Sequence, residues 1–176
     1  ECREMIPKRK EPNEALRNLN RREKSYSQHF EKATSSRRKK RLYSARKEFE
    51  LCLKEAPNSK EAIKLKAKVD KDINNAEELY NEAKSHLKQA EFDGVQRSID
   101  AILEIQRDLS GFQGFVKGAE GKENKYYDLS SKWGEALKPE VRDLNNAQRN
   151  LEESLKICPD CSEEKELLDQ IAEDKE

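Results

Sequence analysis

The residues best suited to chemistry are Cys158 and Cys161 in the stretch LKICPDCSEE, which enclose a proline and an aspartate. Thiols at this spacing can form a redox pair or supply half of a zinc site. A thioredoxin-like redox pair needs a strand leading into the motif, whereas the residues before Cys158 follow a helical pattern. A zinc site needs two further ligands. The other thiols and imidazoles, which form no second pair, are Cys2, His29, Cys52 and His86.

We therefore predict that this cysteine pair lies in a turn between two helices, because Pro159 suits such a turn without any chemistry. A local or intermolecular disulfide is one alternative. A redox or metal-binding role is the other.

The composition indicates that helices with narrow apolar faces position these residues. Hydrophobic residues make up 34% of the 176-residue chain and charged residues 41%, against about 45 to 50% (counting Gly) and about 25% in an average soluble domain. The 36 basic residues balance 36 acidic residues, and mixed charges at helical spacing favour i,i+4 pairs over disorder. No stretch alternates with period two over the length of a strand. We predict an all-α protein.

Prolines mark the ends of the predicted elements. Residues 1–12 hold two prolines and no apolar period, which predicts a flexible basic N-terminal arm ahead of a helical repeat domain at 13–176. Pro57 and Pro159 each end a helix, and Pro139 fits the first turn of another.

Glycines predict a break within that domain. Each glycine costs a helix about 1 kcal/mol relative to alanine. The stretch near 110–124 is therefore predicted to be a glycine-rich connection. Its glycines are Gly111, Gly114, Gly118 and Gly121.

Two stretches of the chain, 45–69 and 147–171, repeat each other at a shift of 102 residues. A middle copy appears at a shift of 50, with Val95 and Ile99 at matching positions. The first and last copies match at Ala45 and Ala147, Phe49 and Leu151, Leu53 and Leu155, and Pro57 and Pro159. An internal repeat of this kind indicates stacked helical units.

The pattern resembles the tetratricopeptide repeat, in which small and large apolar residues precede a proline at fixed spacing. The matching residues are Ala45, Phe49, Cys52 and Pro57 in the first copy, and Ala147, Leu151, Ser154 and Pro159 in the last. The small residue of the family's first helix falls on Ala33, Ala83 and, in the last copy, Glu135.

Two features depart from the family. The middle copy carries Arg107 in place of the proline, and the period of about 50 exceeds the usual 34 or so. The resemblance implies antiparallel helix hairpins stacked into a right-handed solenoid. An elongated helical bundle is the alternative architecture.

The resemblance also implies a concave groove lined by the first helix of each hairpin. Its positions in this sequence fall on Phe30, Arg37, Arg38, Tyr80, Lys84 and Lys88. An aromatic ring with two lysines a turn apart can hold an acidic side chain or the C-terminal carboxylate of a peptide. We therefore expect a non-catalytic scaffold whose partner is another protein with an acidic segment. No catalytic constellation, metal site or cofactor site is predicted.

The distribution of basic residues predicts an alternative function. The stretch 35–46 carries five consecutive basic residues at a predicted helix start, and residues 1–47 hold 16 basic against 6 acidic residues. Such a region can bind nucleic acid or an anionic membrane surface. Residues 1–88 carry 24 basic and 15 acidic residues, whereas residues 89–176 carry 12 basic and 21 acidic residues. The two halves therefore have opposite net charge, which also favours self-association. No apolar run long enough to predict a transmembrane segment occurs.

Overall fold

The computed structural model describes residues 11–175, with side chains from residue 14 onward. No strand occurs within these residues, which confirms the all-α prediction. The helices are α1 (Glu11–Arg38), α2 (Leu42–Glu55), α3 (Lys60–Lys88), α4 (Phe92–Ile105), α5 (Phe112–Ala136), α6 (Leu144–Ile157) and α7 (Ser162–Glu173). The predicted arm at 1–12 lies mostly outside the described residues, and its last two residues already belong to α1.

Three of the helices, α2, α4 and α6, share their length and spacing. Each has 14 residues, and they begin at residues 42, 92 and 144, which are 50 and 52 residues apart. A residue with positive φ lies two positions before each start. The aligned positions are buried in all three helices: Ala45, Val95 and Ala147; Phe49, Ile99 and Leu151; Cys52, Ile102 and Ser154. The apolar spacing in the sequence therefore identified the buried face of each helix.

The glycine-rich connection predicted near 110–124 is wrong, because α5 runs through most of it. Gly111 lies just before the helix, and its φ of 74° is in the left-handed region that favours glycine. Phe112 and Ala119 of α5 are buried, and this packing stabilises the helix against the low propensity of its glycines. A methyl group added at Gly114, Gly118 or Gly121 would meet nothing within 4 Å, so the packing of α5 does not require glycine at these three positions.

The connection between α5 and α6 also differs from the prediction. Pro139 lies within this connection, at residues 137–143, and not in the first turn of α6. Asp143 begins α6, because its side chain accepts a hydrogen bond from the backbone N–H of Asn146 at 3.0 Å. The small buried residue near the end of α5 is Ala136, whereas Glu135 is exposed.

The predicted turns that contain Pro57 and Pro159 are confirmed, because both prolines lie just after a 14-residue helix. The predicted helix start at the five consecutive basic residues is wrong in part. Arg37 and Arg38 end α1, and only Arg41 takes the N-cap position of α2.

The chain folds as two compact units. Unit 1 comprises the described chain up to Asn74 together with Gln106–Asp108, and its core packs α1 against α2. Unit 2 comprises Asn75–Ile105 and the described chain from Leu109, with α6 packed against both α5 and α7. One apolar cluster joins these three helices: Trp133, Ala136, Leu137, Leu144, Ala147, Leu151, Leu167, Leu168 and Ile171.

The segment Gln106–Asp108, which follows α4 in sequence, provides the cap of α2 in unit 1. The Asp108 carboxylate accepts hydrogen bonds from the backbone N–H groups of Tyr43 (3.4 Å) and Ser44 (3.1 Å) and from the Ser44 hydroxyl (3.3 Å). The N-cap residue Arg41 has no side-chain cap of its own. A carboxylate is stabilising at a helix N-terminus. A residue distant in sequence therefore does what a local N-cap side chain usually does.

Candidate protein-binding surface

The predicted groove residue Phe30 is part of the packing within unit 1. Its ring lies 5.7 Å from the ring of Tyr26 and 5.9 Å, edge to face, from that of Phe49. Phe30 is half-buried and Phe49 fully buried. The ring therefore contributes mainly to the contact between α1 and α2 and leaves little surface for a ligand.

The predicted residues Arg37 and Arg38 lie in the last turn of α1. Their charges stabilise the negative end of the helix dipole. Arg37 is half-buried and Arg38 exposed. The chain continues through Lys39, Lys40 and Arg41, and we call residues 37–41 the basic turn.

The fold adds one more cation to the basic turn. The backbone N–H of Arg107 donates to the carbonyl of Lys40 at 2.7 Å, and the Arg107 side chain is exposed. No ion pair joins Arg37, Arg38 or Arg107 to a described carboxylate. Sequence alone gave no indication that Arg107, which stands where the repeat has a proline, lies beside this turn.

The predicted residues of α3 lie in unit 2. The Tyr80 ring meets Phe115 and Phe112 edge to face, with centroids 5.1 and 6.0 Å away. Lys84 places its Nζ 3.8 Å from the centroid of the Tyr80 ring, which is a cation–π contact. Lys88 is exposed in the last turn of α3. The structure thus brings Tyr80 and Lys84 together, and much of the tyrosine ring is used in internal packing.

Helix α1 carries an exposed apolar face that was not predicted from the sequence. Leu16 and Leu19 are 56% and 61% exposed. They continue the spacing of Tyr26, Phe30 and Ala33 along one side of the helix. This spacing was visible in the sequence. Because α1 has 28 residues and α2 only 14, however, α2 is too short to cover the whole apolar side of α1. We call Leu16 and Leu19 the open α1 face.

A cavity of about 370 Å³ adjoins the open α1 face and is lined by Leu19, Arg22, Glu23, Tyr26, Glu55 and Ala56. Polar contacts hold its walls in place. Arg22 Nη2 donates to the backbone carbonyl of Glu55 at 2.5 Å, and the hydroxyls of Tyr26 and Ser59 are hydrogen-bonded at 2.8 Å. The site therefore combines an apolar floor with a fixed arginine, as suits an amphipathic segment.

The turn between α6 and α7 holds a second distinctive site. Cys158 and Cys161 form a disulfide across this turn, with their Cα atoms 5.5 Å apart. The predicted turn is confirmed. The structure also contains the local disulfide, which was one of the alternatives that the sequence left open. Cys52 is instead a free, buried thiol, and burial together with the charge of Glu48 raises its pKa to about 11.

A buried carboxylate lies beside the disulfide. Glu164 is only 2% exposed, and the Tyr126 hydroxyl donates a short hydrogen bond to it. Burial raises the pKa of Tyr126 well above its usual range, and the hydrogen bond to Glu164 and the charge of that residue raise it further. Tyr126 therefore stays protonated as a donor.

Comparisons with protein-family models, with curated proteins and with solved structures found no match for this chain. Across residues 11–175, no group of three or more histidine, cysteine or acidic side chains is arranged to hold a metal ion. None of the helices in the described part of the chain combines the length and apolar character needed to cross a bilayer.

Proposed function

We propose that this protein is a non-catalytic interaction scaffold, built of TPR-like antiparallel helix hairpins, that binds an acidic amphipathic helix of another protein. The open α1 face carries the proposal. Leu16 and Leu19 are both more than half exposed, and exposed apolar side chains at helical spacing are what a partner helix buries.

The similar spacing of α2, α4 and α6, which begin 50 and 52 residues apart, supports the array. Each of these 14-residue helices follows a longer helix, and a positive-φ residue precedes each of them. A unit that recurs with the same length and the same buried positions is typical of stacked helical repeats.

Charge around the open α1 face indicates the sign of the partner. Arg17, Arg21 and Lys24 are exposed on the same helix and outnumber the exposed acidic residues Glu14 and Glu23 of the stretch 14–24. Arg22 borders the cavity but is already paired with Glu55, its Nε lying 3.6 Å from the carboxylate. Cations at the rim of an apolar contact accelerate association with an acidic partner and disfavour a basic one. Lys84 and Lys88 of unit 2 are exposed cations, and we propose them as a separate contact for an acidic segment.

The test uses fluorescence anisotropy with two synthetic amphipathic helices of equal apolar content, one acidic and one basic. We expect the acidic peptide to bind the intact chain, and Leu16→Asp with Leu19→Asp to weaken binding at least about tenfold, which is about 1.4 kcal/mol. Ile63→Asp is the matched control, because Ile63 is 48% exposed elsewhere in unit 1. Equal loss in the control, or equal binding of both peptides, would contradict the proposal.

A second candidate function rests on the basic turn. Arg107 adds its charge to Arg37, Arg38, Lys39 and Arg41, and this cluster resembles the electrostatic footprint of a nucleic-acid-binding surface. The logarithm of the affinity for a nucleic acid should then fall linearly with the logarithm of the salt concentration. Arg107→Ala should reduce this slope by about 1 if the residue contacts a phosphate. Salt-independent affinity for duplex and single strands would exclude the candidate.

A further inference from the structure

The two sulfurs of the disulfide differ in their access to solvent. Cys158 is fully buried at the C-cap of α6, whereas Cys161 is partly exposed at the N-cap of α7. Cys161 also lines a cavity of about 380 Å³, and Cys158 does not. An incoming thiolate attacks the sulfur that it can reach, so access selects Cys161.

The cavity is strongly acidic. Its lining contains the carboxylates of Glu91, Asp160, Glu163 and Glu164, and no lysine or arginine is among the residues that line it. Glu91 is paired with His86, whose Nδ1 lies 2.5 Å from the carboxylate. The remaining carboxylates leave the cavity with a negative field, since Glu164 interacts with the neutral Tyr126 hydroxyl.

From this geometry we propose that the Cys158–Cys161 bond is a thiol–disulfide exchange site, attacked at Cys161 and selective for cationic thiols or thiols on a basic protein surface. This goes beyond the proposed scaffold function and does not depend on it.

The exchange is balanced in two steps. A thiolate forms a bond to Cys161 Sγ, the bond between the two cysteines breaks, and Cys158 leaves as a thiolate that takes a proton from water. A second thiolate then attacks the sulfur of the incoming group, which releases Cys161. Two external thiols are thereby oxidised to a disulfide, and the two cysteines are reduced.

The selectivity follows from the charge of the cavity. Anionic thiols are repelled by the carboxylates near Cys161, whereas a cationic thiol is concentrated there. We expect a cationic thiol to react at least about tenfold faster than an anionic one at low salt.

The experiment measures reduction of the oxidised full chain by three small thiols: cysteamine, 2-mercaptoethanol and 2-mercaptoethanesulfonate. The three are compared at equal thiolate concentration, and each rate is divided by the rate of the same thiol with a small neutral disulfide, which removes differences in thiolate fraction and in intrinsic nucleophilicity. Alkylation and mass spectrometry follow the peptide that contains Cys158 and Cys161, and Cys52 is counted separately. Rates are compared at about 0.01 M and about 1 M salt, where the screening length falls from about 30 Å to about 3 Å.

We expect the order cysteamine, mercaptoethanol, mercaptoethanesulfonate at low salt, near-equal rates at high salt, and the trapped mixed disulfide on Cys161. Asp160→Asn with Glu163→Gln should reduce the preference. Glu166→Gln, an exposed change on α7 outside the cavity lining, should retain it. Equal rates at low salt, a mixed disulfide on Cys158, or reduction that occurs only with loss of the helical circular dichroism signal would each overturn the proposal.

Discussion

The turn between α2 and α3 and the turn between α6 and α7 share a backbone and differ in chemistry. Their C-cap residues have similar angles: Ala56 at φ −135° and ψ 80°, and Cys158 at φ −121° and ψ 82°. Each turn is also closed by a backbone hydrogen bond between its outer residues, at 3.1 Å from Ser59 to Ala56 and 3.3 Å from Cys161 to Cys158.

The side chains close the two turns by different means. Ser59 accepts a hydrogen bond from the Ala62 backbone N–H at 3.3 Å, whereas Cys161 makes no side-chain cap and is held by the disulfide. A tyrosine from an earlier long helix contacts each turn region: Tyr26 bonds to Ser59, and Tyr126 bonds to Glu164. The comparison shows that the backbone of the turn forms without thiols, so the disulfide is an addition to it.

The largest expected effect concerns the helices that lead into the two turns. Phe49 of α2 and Leu151 of α6 are both fully buried at aligned positions. Phe49→Ala should reduce the free energy of unfolding by about 3 to 5 kcal/mol and Leu151→Ala by about 2 to 5 kcal/mol, because each leaves a cavity. Urea titration followed by circular dichroism measures both. A loss below about 1 kcal/mol in only one variant would show that the two helices are not equivalent.

The tyrosine contacts should differ in strength because one partner is charged. Tyr126→Phe leaves the buried Glu164 carboxylate without its donor and should cost about 2 to 3 kcal/mol of unfolding free energy. Tyr26→Phe removes a hydrogen bond between two neutral hydroxyls and should cost about 1 kcal/mol. Glu164→Gln in the Tyr126→Phe background should recover part of the loss, since it removes the buried charge. Equal costs for the two tyrosine changes would contradict this reasoning.

Removal of the disulfide should have an intermediate effect. Because the cysteines are three positions apart, the closed loop is short and its chain entropy contributes about 2 kcal/mol. Cys158→Ala with Cys161→Ala should therefore lower the free energy of unfolding by about that amount. The wild-type chain measured with and without a reductant gives the matched control. A double variant as stable as the oxidised protein would show that the bond adds nothing to the turn.

The smallest effect concerns the caps. Ser59→Ala should cost about 1 kcal/mol, as expected for the loss of an N-cap side chain. Cys161→Ser in the Cys158→Ala background should recover about 1 kcal/mol relative to the double alanine variant, because serine can then cap α7 as Ser59 caps α3. The same urea titrations measure both changes. No recovery at position 161 would show that the two turns differ in backbone geometry as well as in chemistry.

Several features of this protein were determined by the sequence alone. Apolar residues at helical spacing identified the buried positions Ala45, Phe49 and Cys52, because a helix places such residues on one face whatever surrounds it. Pro57 and Pro159 marked the turns after α2 and α6, because proline cannot continue a helix. These are local constraints that need no knowledge of distant residues.

The remaining features were decided by tertiary structure. Helix α5 persists through its glycines because Phe112 and Ala119 are buried, and burial energy depends on neighbours that local propensity does not include. The cap that Asp108 gives to α2, and the exposure of Leu16, likewise depend on where distant segments end. The acidic surroundings of Cys161 come from the turn between α3 and α4, the turn between α6 and α7, and the first turn of α7. Spacing along the chain predicts which residues share a helix face, but only the packing of helices determines which faces are covered and which charges meet.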